Sequence, residues 1–404
     1  MTYSRSVFVS VRRHTWNRRA IPSALSGFKT FTFDLDLMLL DLGRLTTALP
    51  ELAPYTAPYW PILRYLHIFS NSPALELQAE WKDVDFHQKT VASDDLGVGV
   101  TISALKDRFH YTHWDDGASY ARRLKALGFL KSPKFSDSPK RGPNKSPDYV
   151  FLTPAKKLHF VECKGTQTSR EALIKALGTA VGQKNSIAFA KAKHEKDFVD
   201  QRLAAGLFVA RQGMPKPSAI LIGDPEPIDP SFISREISAR VLEGVLQVGH
   251  LSKLLTCAGF VRTALAIDRN IFPTHSLNLE RGREEISIEA AFTLDQQSLD
   301  TFEADGEKWI GRKITLPLPE GIQRPEARVR YLEVSYGLHK SILPPLQELF
   351  AKERFFLLDE FQETAARFRD QERKRSDEAA EILSPKAFIA ELRSRTDLDR
   401  GLVG

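Results

Sequence analysis

The sequence predicts an α/β (α+β) protein with a central mixed sheet flanked by helices, and three observations lead to this class. Residues 149–152 and 158–163 are rich in β-branched and aromatic residues around a Thr-Pro-Ala-Lys turn, the pattern of a hairpin. A helical stretch follows from about residue 169 to 193. Two short apolar runs, 206–210 and 219–222, then read as further strands.

Taken in order, the chain opens on a basic segment. Arg5, Arg12, Arg13, Arg18, Arg19 and Lys29 occur before the first acid, Asp34. An acid-free, Arg- and Ser-rich start also resembles a transit peptide, but residues 6–11 read as a strand and Trp16 suits a core, so a folded basic segment is expected. Residues 31–40 are apolar and partly alternating, 49–61 are a Pro-rich connection, and 75–85 read as strand or helix with Trp81 on one face. Residues 1–94 are therefore expected to form an accessory region. Residues 97–109 and 118–130 have helical periodicity. They lead into a basic loop, 131–145, where Lys131, Lys134, Lys140, Arg141 and Lys145 face the single acid Asp137. Lys140, Arg141 and Lys145 are candidates for phosphate contact, which would make binding salt-dependent.

A turn-rich stretch at 223–230 closes the expected central domain, 95–229. In the remaining domain, 230–404, residues 231–256 read as a helix. Residues 286–292, 309–316 and 329–334 read as strands, and 346–383 as one long helix, apolar early and strongly charged late. The C-terminal region is the expected meeting place for a second copy or a companion subunit.

Composition narrows the function classes. Of 404 residues, 42% are hydrophobic and 27% charged, an ordinary globular balance, with a formal net charge of +6. No apolar run approaches the roughly 20 residues that cross a bilayer, so no membrane partner is expected. With only two cysteines, Cys163 and Cys257, neither a disulfide framework nor a thiolate zinc site can be built, and a reducing cytoplasm fits best. His110 and His113 have metal spacing but read as loop or polar-face residues.

The chemistry concentrates at Pro147-Asp148 and Glu162-Cys163-Lys164. Strand alternation puts Glu162 and Lys164 on one face, and antiparallel pairing can set Asp148 beside Glu162. Two carboxylates, with the backbone carbonyl of Cys163 as a third oxygen, suit a hard cation such as Mg²⁺ or Mn²⁺. Such an ion makes water nucleophilic and neutralises phosphoryl charge, while Lys164 would position that water or stabilise developing charge.

These residues resemble the PD-(D/E)XK nuclease superfamily, whose pattern is Pro-Asp, a spacer, then Asp or Glu, any residue, and Lys. The resemblance spans residues 95–224 and extends to Gly165-Thr166 and the following helix, where Gly178 to Lys184 resembles the helix that carries a site-facing Gln. It implies a restriction-endonuclease-like fold, a role for Gln183 at the scissile phosphate, and Lys184 as a nucleic-acid contact. The family often has a Glu on the preceding helix; here Asp94 and Asp95 are the nearest substitutes, and Asp95 is the candidate for a metal. The implied function is metal-dependent hydrolysis of DNA, in restriction or anti-phage defence, although a phosphodiester motif does not distinguish DNA from RNA. The competing expectation is a catalytically weak or inactive nuclease-fold subunit that binds DNA or a partner subunit as a scaffold within a multi-protein complex. A phosphatase of the haloacid dehalogenase type, read from Asp34, Asp36 and Asp224, matches less of its pattern. Neither a P-loop nor a nucleophile elbow is present.

Overall fold

The computed structural model describes residues 4–16, 20–47, 58–129, 146–184, 198–224, 238–272, 286–318, 330–352, 354–369, 372–376, 379–384 and 386–395, with the side chains of 181–184, 372 and 395 excepted. The fold is α/β. Two compact units divide the chain: residues 1–38, 68–250 and 271–279 form the first, and 39–67, 251–270 and 280–404 the second. Neither expected boundary, after 94 or after 229, coincides with this division.

Strands β1 (Ser4–Val11), β2 (Thr30–Asp34), β3 (His113–Asp116), β4 (Tyr149–Leu152), β5 (Leu158–Thr166), β6 (Val199–Phe208) and β7 (Ala219–Gly223) form the mixed sheet of the first unit. Their order is β2-β1-β7-β6-β5-β4-β3, with parallel pairing at β1/β7 and β5/β6. The N-terminal strands are thus members of this sheet and not a separate layer. The reason is alternation: Val7 and Val9 of β1 are buried while Ser4, Phe8 and Ser10 are exposed, so one face of the strand needs a core. Trp16 is buried as well.

Helices in the first half of the chain are α1 (Leu35–Thr46), α2 (Trp60–Tyr65), α3 (Phe86–Phe109), α4 (Gly117–Ala126) and α5 (Arg170–Lys184). The run at 31–40 is therefore two elements. Its strand ends at Asp34, whose Oδ1 accepts from the Leu37 N–H at 3.0 Å and so starts α1. Because β2 is an antiparallel edge strand, Asp34 and Asp36 do not stand at the end of a central parallel strand, as the phosphatase pattern needs. Helix α3 begins eleven residues before its expected start, capped by Asp85, whose Oδ1 accepts from His87 and Gln88 at 2.8 and 3.1 Å. Residues 79–83 are a 3₁₀ turn. His113, expected in a loop or on a polar face, is buried in β3, while His110 ends α3 with φ 53°.

Helix α5 packs on one sheet face, where Leu173, Leu177 and Ala180 meet Ala204, Phe208 and Leu221. Helix α3 packs against β5 and β6 on the opposite side, backbone against backbone.

The second unit continues with α6 (Ala239–Ala258), whose first residues belong to the first unit, then α7 (Val261–Ile271), α8 (Ile288–Ser298), α9 (Leu343–Phe350) and α10 (Asp359–Arg367). Its sheet is antiparallel throughout, in the order β11-β12-β13-β10-β9-β8. The strands are β8 (Asp300–Ala304), β9 (Glu307–Pro317), β10 (Tyr331–His339), β11 (Glu372–Arg375), β12 (Ala379–Ser384) and β13 (Phe388–Arg395). Two expectations are corrected here. Residues 286–292 are not a strand, because Ser287 caps α8 through the Ala290 N–H at 3.2 Å. The single helix at 346–383 is two short helices followed by two strands, and the wholly buried β12 shows why: its side chains serve a sheet core on both faces. Among the described residues no helix is long and apolar enough to cross a membrane.

Candidate active site

The register of the β4/β5 hairpin builds the site. Tyr149 pairs with Val161, so one further step sets Asp148 opposite Glu162 and Pro147 opposite Cys163. Pro147 has no N–H to give to the ladder. The Cys163 N–H donates instead to Asp148 Oδ2 at 2.7 Å, which fixes that carboxylate against β5. A strand residue carries its carbonyl on the same edge as its N–H, so the Cys163 carbonyl also faces this end of β4, with no donor from Pro147.

Glu162 is fully buried and Lys164 is 24% exposed, and the ammonium contacts Glu162 Oε1. This is the pairing that alternation predicts, two residues apart on one strand face. The other carboxylate oxygen, Oε2, is buried with no hydrogen-bond partner among the described residues. Burial, and next the charge of Asp148, push Glu162 up to about 7 against the opposing pull of Lys164. Asp148 is raised too, chiefly by burial, with Asp94 and Asp116 adding to the effect while the Cys163 N–H and Lys164 oppose it. Burial works against the Lys164 ammonium, but its contact with Glu162 and the nearby carboxylates outweigh that and raise its pKa. The Cys163 thiol is pushed well up, above all by burial, and is an inert wall of the site.

Helix α3 reaches the site because two glycines let it. A side chain at Gly165 would place its Cβ 1.6 Å from the Ser93 carbonyl oxygen, and one at Gly97 would stand 2.8 Å from Gly165 Cα. Gln167 then latches the end of β5 to the helix, donating to the Lys89 carbonyl at 2.9 Å and to Ser93 Oγ at 3.0 Å while accepting from Trp81 Nε1 at 3.0 Å. Of the two α3 acids, Asp94 is the one whose charge acts on Asp148 and Lys164; its own pKa is raised by burial first, then by Asp95. Asp95, the sequence candidate, acts on Asp94 and Tyr149.

Asp116 was missed by sequence reasoning. It pairs with Tyr149 at the end of β3, and the Gly117 N–H that follows donates to the Asp148 carbonyl at 3.0 Å. The signal was an Asp115-Asp116 pair directly before a helix, unusable until β3 is recognised as a strand. Asp115 itself is spent on buried Arg123. Gln183 and Lys184 end α5, but their side chains lie outside the described residues, as do Lys140, Arg141 and Lys145 altogether.

The donors gathered here are carboxylates plus one backbone carbonyl, an all-oxygen set that suits Mg²⁺ or Mn²⁺ and not a soft ion. The buried, unpartnered Glu162 Oε2 fits such an ion. Among the described residues no three His, Cys, Asp or Glu side chains converge into a ready cage, so water and substrate oxygens would complete the shell, as Mg²⁺ prefers. Comparison with known protein families, with curated proteins and with solved structures found no match to this chain.

Proposed function

We propose that this protein is a metal-dependent nuclease that hydrolyses DNA phosphodiesters. The observation that carries this reading is the constellation of Asp148, Glu162 and Lys164 at one strand end, with a buried Glu162 oxygen that has no partner among the described residues. A structural salt bridge needs only one carboxylate; the second one, Asp148, raises the proton affinity of Glu162 and is costly without a cation.

In this reading Asp148, Glu162 and the Cys163 carbonyl hold Mg²⁺ or Mn²⁺, with Asp94 in support. When bound, the ion supplies charge neutralisation and an acidified water. The chain's own residues do the rest. The Cys163 N–H orients Asp148 so that one oxygen stays available. Lys164, kept protonated by its carboxylate neighbours, positions the attacking water and stabilises charge that develops on the phosphoryl oxygens. Gln183 would support the phosphate. A role in restriction or anti-phage defence, in the cytoplasm, belongs to the same reading through the resemblance of its motif.

Asp148→Asn and Lys164→Ala test it. Each should cut DNA at least roughly 10²-fold more slowly than wild type while still melting cooperatively as a folded protein. Cutting retained in both variants rejects the site. Salt-sensitive DNA binding without any cutting by the wild type would favour a nuclease-fold subunit that acts within a complex.

A further inference from the structure

We infer that the exposed face of β1 and β2 is a docking surface for single-stranded DNA, with Phe8 as its stacking residue. The choice of DNA rests on the nuclease reading above; the surface itself is read from the sheet. On β1, Val7 and Val9 point into the core, and the other face presents Ser6, Phe8 and Ser10. On β2 the same face presents Thr30 and Thr32, with Ser6 Oγ and Thr32 Oγ1 2.8 Å apart. Phe8 pairs with Thr30 and is 56% exposed, a large aromatic ring standing alone among small hydroxyls.

A single strand needs a ring to stack on, hydroxyl donors, and cations for its phosphates, and this surface offers all three. Arg12 and Arg13 follow β1 and Lys29 precedes β2, so three cations gather at one end of the hairpin. The acid-free sequence up to Asp34 keeps their charge uncompensated by near neighbours in the chain. Charge complementarity therefore favours a polyanion over an apolar partner.

Register ties this surface to the site. Ser10 pairs with Leu221, Leu221 with Gly206, and Gly206 with Lys164; Phe8 lies in the corresponding row with Ala219, Phe208 and Thr166. These rows share the sheet face that carries Lys164. Three strand spacings separate β1 from β5, roughly 14 Å, and α5 covers Phe208 and Leu221 between them, so β1 and β2 flank that helix on the face that carries Lys164.

The test is fluorescence anisotropy of the full chain with a labelled oligothymidylate, its duplex and an oligouridylate, in EDTA and across a salt series. Phe8→Ala should weaken single-strand binding roughly 5- to 100-fold, the range for loss of one stacked base, while Phe8→Trp retains it. Lys29→Ala should flatten the salt dependence by about one phosphate contact. Unchanged affinity in Phe8→Ala, equal loss on duplex and single strand, tighter binding of the oligouridylate, or Phe8-dependent self-association without DNA binding would each overturn the inference. Phe8-dependent binding by a protein that cuts nothing with Mg²⁺ or Mn²⁺ would sink the catalytic reading and leave this surface standing. Cutting with Phe8→Ala binding as wild type does the reverse.

Discussion

Glu162 concentrates the electrostatics of this protein in one side chain. Its pKa of about 7 lies above the ordinary 4.5, so the folded protein keeps a proton that the unfolded chain releases. The stability that this group contributes is fully present below about pH 4.5 and is lost as pH rises through about 7. Glu162→Gln should therefore flatten the pH dependence of denaturant unfolding between about pH 5 and 8, by on the order of 2–3 kcal/mol. A slope identical to wild type would place the proton elsewhere. Added Mg²⁺ should raise the melting temperature more at about pH 8 than at about pH 6, because a cation competes with that proton. Lys164 and Asp148 belong to the same balance, so replacing either shifts the pH at which Glu162 ionises. Removal of Lys164 raises it, and removal of Asp148 lowers it.

At the scale of elements, the hairpin of β4 and β5 was legible because alternation and turn chemistry agree there. The strand face of Glu162 and Lys164 follows from parity alone. The approach of α3 was not legible. Its first turns, from Phe86 to Asp95, are polar, so periodicity locates the helix only from Gly97 onward, and the close packing that brings Asp94 to the site depends on glycines at 97 and 165 whose contact spans 68 residues. The same limit hid β12, whose buried run reads equally well as a helix when no partner strand is visible. The helix contact yields a prediction: Gly165→Val would drive its side chain into the Ser93 carbonyl and part α3 from β5. It should cost about 2–4 kcal/mol in denaturant unfolding, whereas Gly178→Ala, at a position where a Cβ meets nothing within 4 Å, should be neutral or stabilising. Equal effects of the two would show that the helix does not dock as described.

For the molecule as a whole, the seven-stranded sheet corrects the expected domain plan. A fragment of residues 95–229 would lack β1 and β2 and most of the first half of α3, and would leave one edge of β7 unpaired. It should be insoluble or lack cooperative melting when expressed alone; a fragment that melts sharply would restore the narrower domain. The reason for the misreading is that β1 is distant in sequence from its partner β7 and meets it in parallel, a pairing no local pattern announces. The sequence resemblance that marked residues 95–224 covers the hairpin of β4 and β5 but not the strands that complete its sheet.

The central claim is tested most directly by incubating wild-type and Glu162→Ala protein with linear, circular and single-stranded DNA and with RNA, each in Mg²⁺, Mn²⁺ or EDTA. The account predicts cutting of DNA by the wild type that needs the divalent ion and disappears in the variant. Cutting that survives in EDTA, or that Glu162→Ala retains, would contradict it.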